Sequence, residues 1–105
     1  MALPDIVKGE VGRVIAITWL KRGTNEPQPI TGATLTGTIR NGPGPTYTTR
    51  AVAGALAVSD GPNGTLNWTL HATDSAAAGF YEVQIIATIG SNVLKTFYMP
   101  WSVLD

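Results

Sequence analysis

Apolar and polar residues alternate in short runs along this chain, and no long window repeats apolar residues at helical spacing. Between Arg13 and Leu20 the alternation puts Ile15, Ile17 and Trp19 on one face, with Val14, Ala16, Thr18 and Leu20 on the other. From Ala33 to Arg40, Leu35, Gly37 and Ile39 face in while Thr34, Thr36 and Thr38 face out. Thr65 to Leu70 points Leu66, Trp68 and Leu70 inward. Further on, Tyr81, Val83, Ile85 and Ala87 alternate with Glu82, Gln84 and Thr88. Weaker strands are predicted at Ile6 to Lys8, Thr46 to Val52 and Leu56 to Val58, with a last one from Val93 to about Val103. Asn41-Gly42-Pro43-Gly44-Pro45, Asp60-Gly61-Pro62-Asn63-Gly64 and Gly90-Ser91-Asn92 separate them as turns, and Lys21 to Pro29 is a polar loop. The pattern predicts one all-β domain over residues 1–105, a β-sandwich of about seven to eight mostly antiparallel strands.

One stretch, Thr73-Asp74-Ser75-Ala76-Ala77-Ala78-Gly79-Phe80-Tyr81-Glu82-Val83, sharpens that expectation. Thr73 or Asp74 is suited to cap a single helical turn through Ala76 to Ala78, because a side-chain oxygen satisfies the first free amides. Gly79 then ends the turn and Tyr81 opens a strand. This is the layout of the penultimate connection in immunoglobulin-like sandwiches, where a Tyr hydroxyl bonds back to upstream backbone as a tyrosine corner. An ordinary core Tyr at the start of an ordinary strand is the simpler alternative. Val83 stands where antibody domains carry a Cys. This chain has no Cys, so packing has to do the work of a disulfide. Asp74, Gly79, Tyr81 and Val83 are therefore expected to be structural.

Composition narrows the function classes. Charged residues are 13% of the chain, against about 25% in an average soluble domain, and seven Lys and Arg balance seven Asp and Glu. Small β domains can carry few charges for no further reason, but a neutral surface also favours association between subunits. No basic stripe exists to neutralise phosphates, which argues against nucleic acid. No apolar stretch approaches the ~18 residues of a membrane span, and the start lacks the pattern of a secretion signal. Folding in a cytoplasm is the expectation.

Residues Ile6-Val7-Lys8-Gly9-Glu10, Pro29-Ile30-Thr31-Gly32-Ala33-Thr34, Ile39-Arg40, Gly64-Thr65-Leu66 and Asp74 with Gly79-Phe80-Tyr81 follow one another in order. In that order they resemble the N-terminal domain of phage baseplate upper proteins, an immunoglobulin-like sandwich of tailed-phage structural genes. The resemblance spans Ile6 to about Val103, through short motifs that mostly mark turns. It implies a virion protein that holds other proteins and catalyses nothing. Its partners would be other virion proteins and copies of itself, on capsid, tail or baseplate. In that family further parts follow this domain toward the receptor-binding machinery, whereas this chain stops at Asp105. Capsid decoration or a tail or baseplate adaptor is thus the expected role.

The residues themselves offer no catalytic or metal constellation. His71 is the one histidine, so neither a nitrogen and sulfur metal site nor a serine triad is expected, and no cofactor. Asp60 and Asp74 flank a strand and could meet Ca²⁺, but turn and cap duties explain them better. Aromatic placement is more informative, because Phe97-Tyr98-Met99-Pro100-Trp101 is apolar on both faces of its predicted strand. A covering loop or a protein contact would account for it, and Val14 and Leu20 raise the same question. Val14, Leu20, Phe97, Tyr98, Met99 and Trp101 are the candidate interface residues. A module that binds carbohydrate or a host surface, stacking a sugar on Trp101 or Tyr47, is the alternative function.

Overall fold

A computed structural model describes residues 3–21, 24–41, 48–96 and 98–105. They form nine strands: β1 (Ile6–Val7), β2 (Val14–Thr18), β3 (Thr34–Asn41), β4 (Thr49–Ala51), β5 (Ala55–Asp60), β6 (Thr65–Thr69), β7 (Gly79–Ile89), β8 (Asn92–Lys95) and β9 (Met99–Leu104). A six-stranded sheet runs β1-β9-β7-β3-β4, with β8 beside the far end of β7. A three-stranded sheet runs β2-β6-β5. All pairs are antiparallel except β1 with β9, where Ile6 sits opposite Val103. The chain is an all-β sandwich without a disulfide.

Alternation delivers the core as expected. Ile15, Ile17, Leu66 and Trp68 from the small sheet meet Ile39, Val83, Ile85 and Ala87 from the large one, all essentially buried. Trp68 and Trp101 touch across the layers, ring centroids 5.0 Å apart, and Tyr81 lies 5.8 Å from Trp101. Burying each such side chain contributes roughly 1.5–3 kcal/mol, which lets a chain of this size dispense with cross-links. Between Ile30 and Ala33 the chain turns tightly, Ala33 N–H donating to Ile30 O at 3.1 Å. Gly32 supplies the φ of 75° that this turn needs and side chains avoid.

Three expectations change. The predicted last strand is two strands. On β7, Ile85 bonds to Thr96 and Val83 faces Met99, so the outer strand carries one more residue there than β7 does. Such a bulge shifts the alternation. Leu94 and Thr96 point inward before it, and Met99, Trp101 and Val103 point inward after it. The Thr96 hydroxyl closes the gap in the ladder by accepting the Ile85 N–H at 3.0 Å. Secondly, β5 is a full strand over Ala55–Asp60 rather than a fragment at Leu56 to Val58. Thirdly, Ala76 to Ala78 form no helix. A turn occupies 72–75, in which Asp74 N–H donates to His71 O at 2.9 Å.

That connection nevertheless serves the strand after it. The Tyr81 hydroxyl donates to Ala77 O at 2.9 Å, which is the tyrosine corner. Replacing Tyr81 by Phe removes the hydroxyl while keeping the ring, and leaves a neutral carbonyl that water can reach, since Ala77 is exposed. A loss of about 1 kcal/mol in urea denaturation, with unchanged slope, is expected.

Candidate interaction surface

Asp74 ends up as an interior hub. Its side chain is fully buried at the end of the sandwich where the β6–β7 connection crosses between sheets. Oδ1 accepts the Ala53 N–H at 2.8 Å, and Oδ2 accepts the N–H groups of Gly54 at 2.8 Å and His71 at 3.2 Å. Oδ2 also accepts the Trp68 indole N–H at 3.2 Å. Arg50 lies 3.9 Å from Oδ1 and donates to the Thr73 and Asp74 carbonyls at 3.1 and 2.9 Å. A carboxylate with these donors can be buried because its charge is spread over several hydrogen bonds. Gly54 has to be glycine, since a Cβ there would lie 2.1 Å from Thr69 O.

These contacts assign Asp74 a role different from the expected helix cap, because no helix is there to be capped. They also occupy the oxygens that a Ca²⁺ would need. Asp60 accepts Asn63 Nδ2 at 2.9 Å within its turn. The neighbouring Ser75, also buried, donates to Glu10 O at 2.6 Å and accepts the Gly9 N–H at 2.9 Å through its carbonyl. The Lys8-Gly9-Glu10 stretch is thereby tied to the β6–β7 connection. His71 is exposed, and its Nδ1 accepts the Thr73 N–H at 3.1 Å. Among the described residues, no group of three or more His, Cys, Asp or Glu side chains is placed to hold a metal ion.

The interface candidates separate into two sets. Met99 and Trp101 are each 2% exposed and belong to the core, so neither is available to a partner or a sugar. The bulge after Thr96 is the reason, since it returns odd-numbered positions of β9 to the inner face. Tyr98 is half-buried on the outside, with the Arg40 guanidinium 3.5 Å above its ring. Arg40 in turn donates to Glu82 Oε1 at 3.0 Å across β3 and β7. Phe97, like Tyr47, lies outside the described residues.

Val14 and Leu20 do face outward, 54% and 37% exposed. The large sheet adds an apolar group that the sequence reading passed over. Phe80 is 74% exposed, opposite Ser102, and Leu104 lies two residues further along β9, paired with exposed Val7. Alternation alone signals Phe80, because an inward Tyr81 forces its neighbour out. Neither the scan of protein-family models nor the search of curated proteins finds a match for this chain.

Proposed function

We propose that this chain is a non-catalytic interaction module of a tailed-phage particle, docking on capsid, tail or baseplate proteins. The observation that carries this reading is the set of large apolar side chains on the outside of both sheets, on a molecule of zero net charge. Exposed apolar groups spread over a sheet surface suit contact with proteins. The sandwich and the order of its turn motifs supply the link to phage structural domains, by analogy of family. The buried ends of the chemistry-bearing side chains fit the same view: Asp74 and Ser75 are spent on backbone groups within the fold. A sugar-stacking role has less to stand on, because Trp19, Trp68 and Trp101 are all buried.

Mass spectrometry of purified particles from the same source tests the proposal. The chain is expected as a component that stays with the particles through gradient purification. Its absence from particles, together with failure to bind any particle protein, would overturn the reading.

A further inference from the structure

We propose that the free edge of β2 is a self-association site, at which a second copy of this chain pairs antiparallel through its own β2. The starting point is the direction of the backbone groups. Trp19 N–H donates to Gly64 O and Leu70 N–H donates to Arg13 O, so odd-numbered residues of this strand bond toward β6. Successive residues in a strand point their N–H and C=O groups to opposite sides. Those of Val14, Ala16 and Thr18 therefore point away from β6. The hairpin that follows uses the β6 side as well, since Gln28 N–H donates to Trp19 O. Among the described residues, no strand pairs with the other side of β2.

Exposed edges are usually blunted by shortness, charge, proline or bulges. Elsewhere in this molecule they are. Strand β1 has two residues, and β4 has three, one of them Arg50. The register of β5 shifts between Val58 and Asp60, and it ends on that acid. Strand β8 ends on Lys95. The sequence of β2, Val14-Ile15-Ala16-Ile17-Thr18, has no charge, no proline and no bulge, and its residue types favour strands.

A second copy fits this edge in one register better than in its neighbours. With the two-fold axis at Ala16, Val14 faces Thr18 of the other copy. Every outward N–H and C=O of Val14, Ala16 and Thr18 then has a partner in both copies. On the outer face, Val14 becomes the diagonal neighbour of the second Leu20, so the two exposed large side chains at this margin cover each other. Arg13 faces Trp19. Moving the axis to Ile17 keeps the backbone pairs but sets Arg13 against Lys21, two like charges. Moving it to Ile15 loses pairs, because Thr18 would then face Gly12, whose N–H is already given to Leu70 O. The interface is isologous, and joins two three-stranded sheets into a continuous one. This dimer stands independently of the viral reading: absence from particles would leave it intact, and its failure would leave docking elsewhere open.

Sedimentation of the full chain at concentrations up to about 1 mM is the test. The wild type is expected to show a concentration-dependent dimer. Ala16→Lys puts two lysines opposite each other at the axis and should weaken the dimer about tenfold or more. Ala16→Glu should do the same, and an equimolar mixture of the two should recover it. Because Ala16 is exposed, both variants should melt like the wild type. Hydrogen exchange on the unmodified chain needs no variant: raising the concentration should protect the amides of Val14, Ala16 and Thr18 and leave Ile15 and Ile17 unchanged. A chain that stays monomeric throughout would overturn the proposal. So would a dimer indifferent to Ala16→Lys, or one whose added protection falls at Phe80 and Leu104.

Discussion

Replacing Asp74 by Ala is expected to destabilise the protein by about 3–5 kcal/mol, a large part of the roughly 5–15 kcal/mol that holds a domain of this size folded. The substitution removes no contact that a smaller side chain could restore. It strands the Ala53, Gly54 and His71 amides and the Trp68 indole N–H at the closed end of the sandwich. It also takes the carboxylate away from Arg50. Each buried donor left without an acceptor costs about 1–3 kcal/mol, and solvent reaching the more exposed amides limits the total. Asp74→Asn keeps one acceptor oxygen but turns an NH₂ toward donors on the other side, so it should recover only part of the loss. Urea denaturation at constant slope reads both. An Asp74→Ala protein within about 1 kcal/mol of wild type would show that the hub is incidental.

Trp101→Ala is expected to cost about 3–5 kcal/mol, the usual range for emptying a large aromatic site in a core. Trp101 is wedged between Trp68 and Tyr81 and is 2% exposed. Trp101→Phe should behave differently. The indole N–H of Trp101 is buried without a hydrogen-bond partner among the described residues, so Phe removes an unsatisfied donor while keeping most of the ring. A change within about 1 kcal/mol is expected, because the smaller volume and the relieved donor act in opposite directions. The pair of variants separates two roles. A core residue loses stability on truncation, whereas a docking residue would keep its melting temperature and lose association instead.

Much of this architecture could be read from the chain before any coordinates. Period-two alternation placed the inward residues of β2, β3, β6 and β7 correctly, because each of those strands is buried on one face only. Tyr81 and its corner were legible for a related reason: a glycine, an aromatic and a strand start are local features. Non-local features were not. The bulge between β8 and β9 rests on the Thr96 hydroxyl standing in for a backbone carbonyl opposite Ile85, which no periodicity shows. That one extra residue puts Met99 and Trp101, two of the interface candidates, into the core. Asp74, one of two residues suited to cap the turn, instead serves backbone amides about twenty residues upstream in the chain, a partnership local sequence does not show. The Ala run looked helical by propensity, yet tertiary contacts at Asp74, Ser75 and Tyr81 set its path.

Native-state hydrogen exchange on the dilute, monomeric chain distinguishes a molecule locked by its interior from one held equally everywhere. The Gly54 amide and the Trp68 indole proton should exchange only through global unfolding, with opening energies equal to the full stability. Val14, Ala16 and Thr18, at the open margin of β2, should exchange through small local fluctuations under the same conditions. Early release of the Gly54 and Trp68 protons, or deep protection of Ala16 in the lone chain, would contradict a sandwich closed around Asp74 with its β2 edge left free.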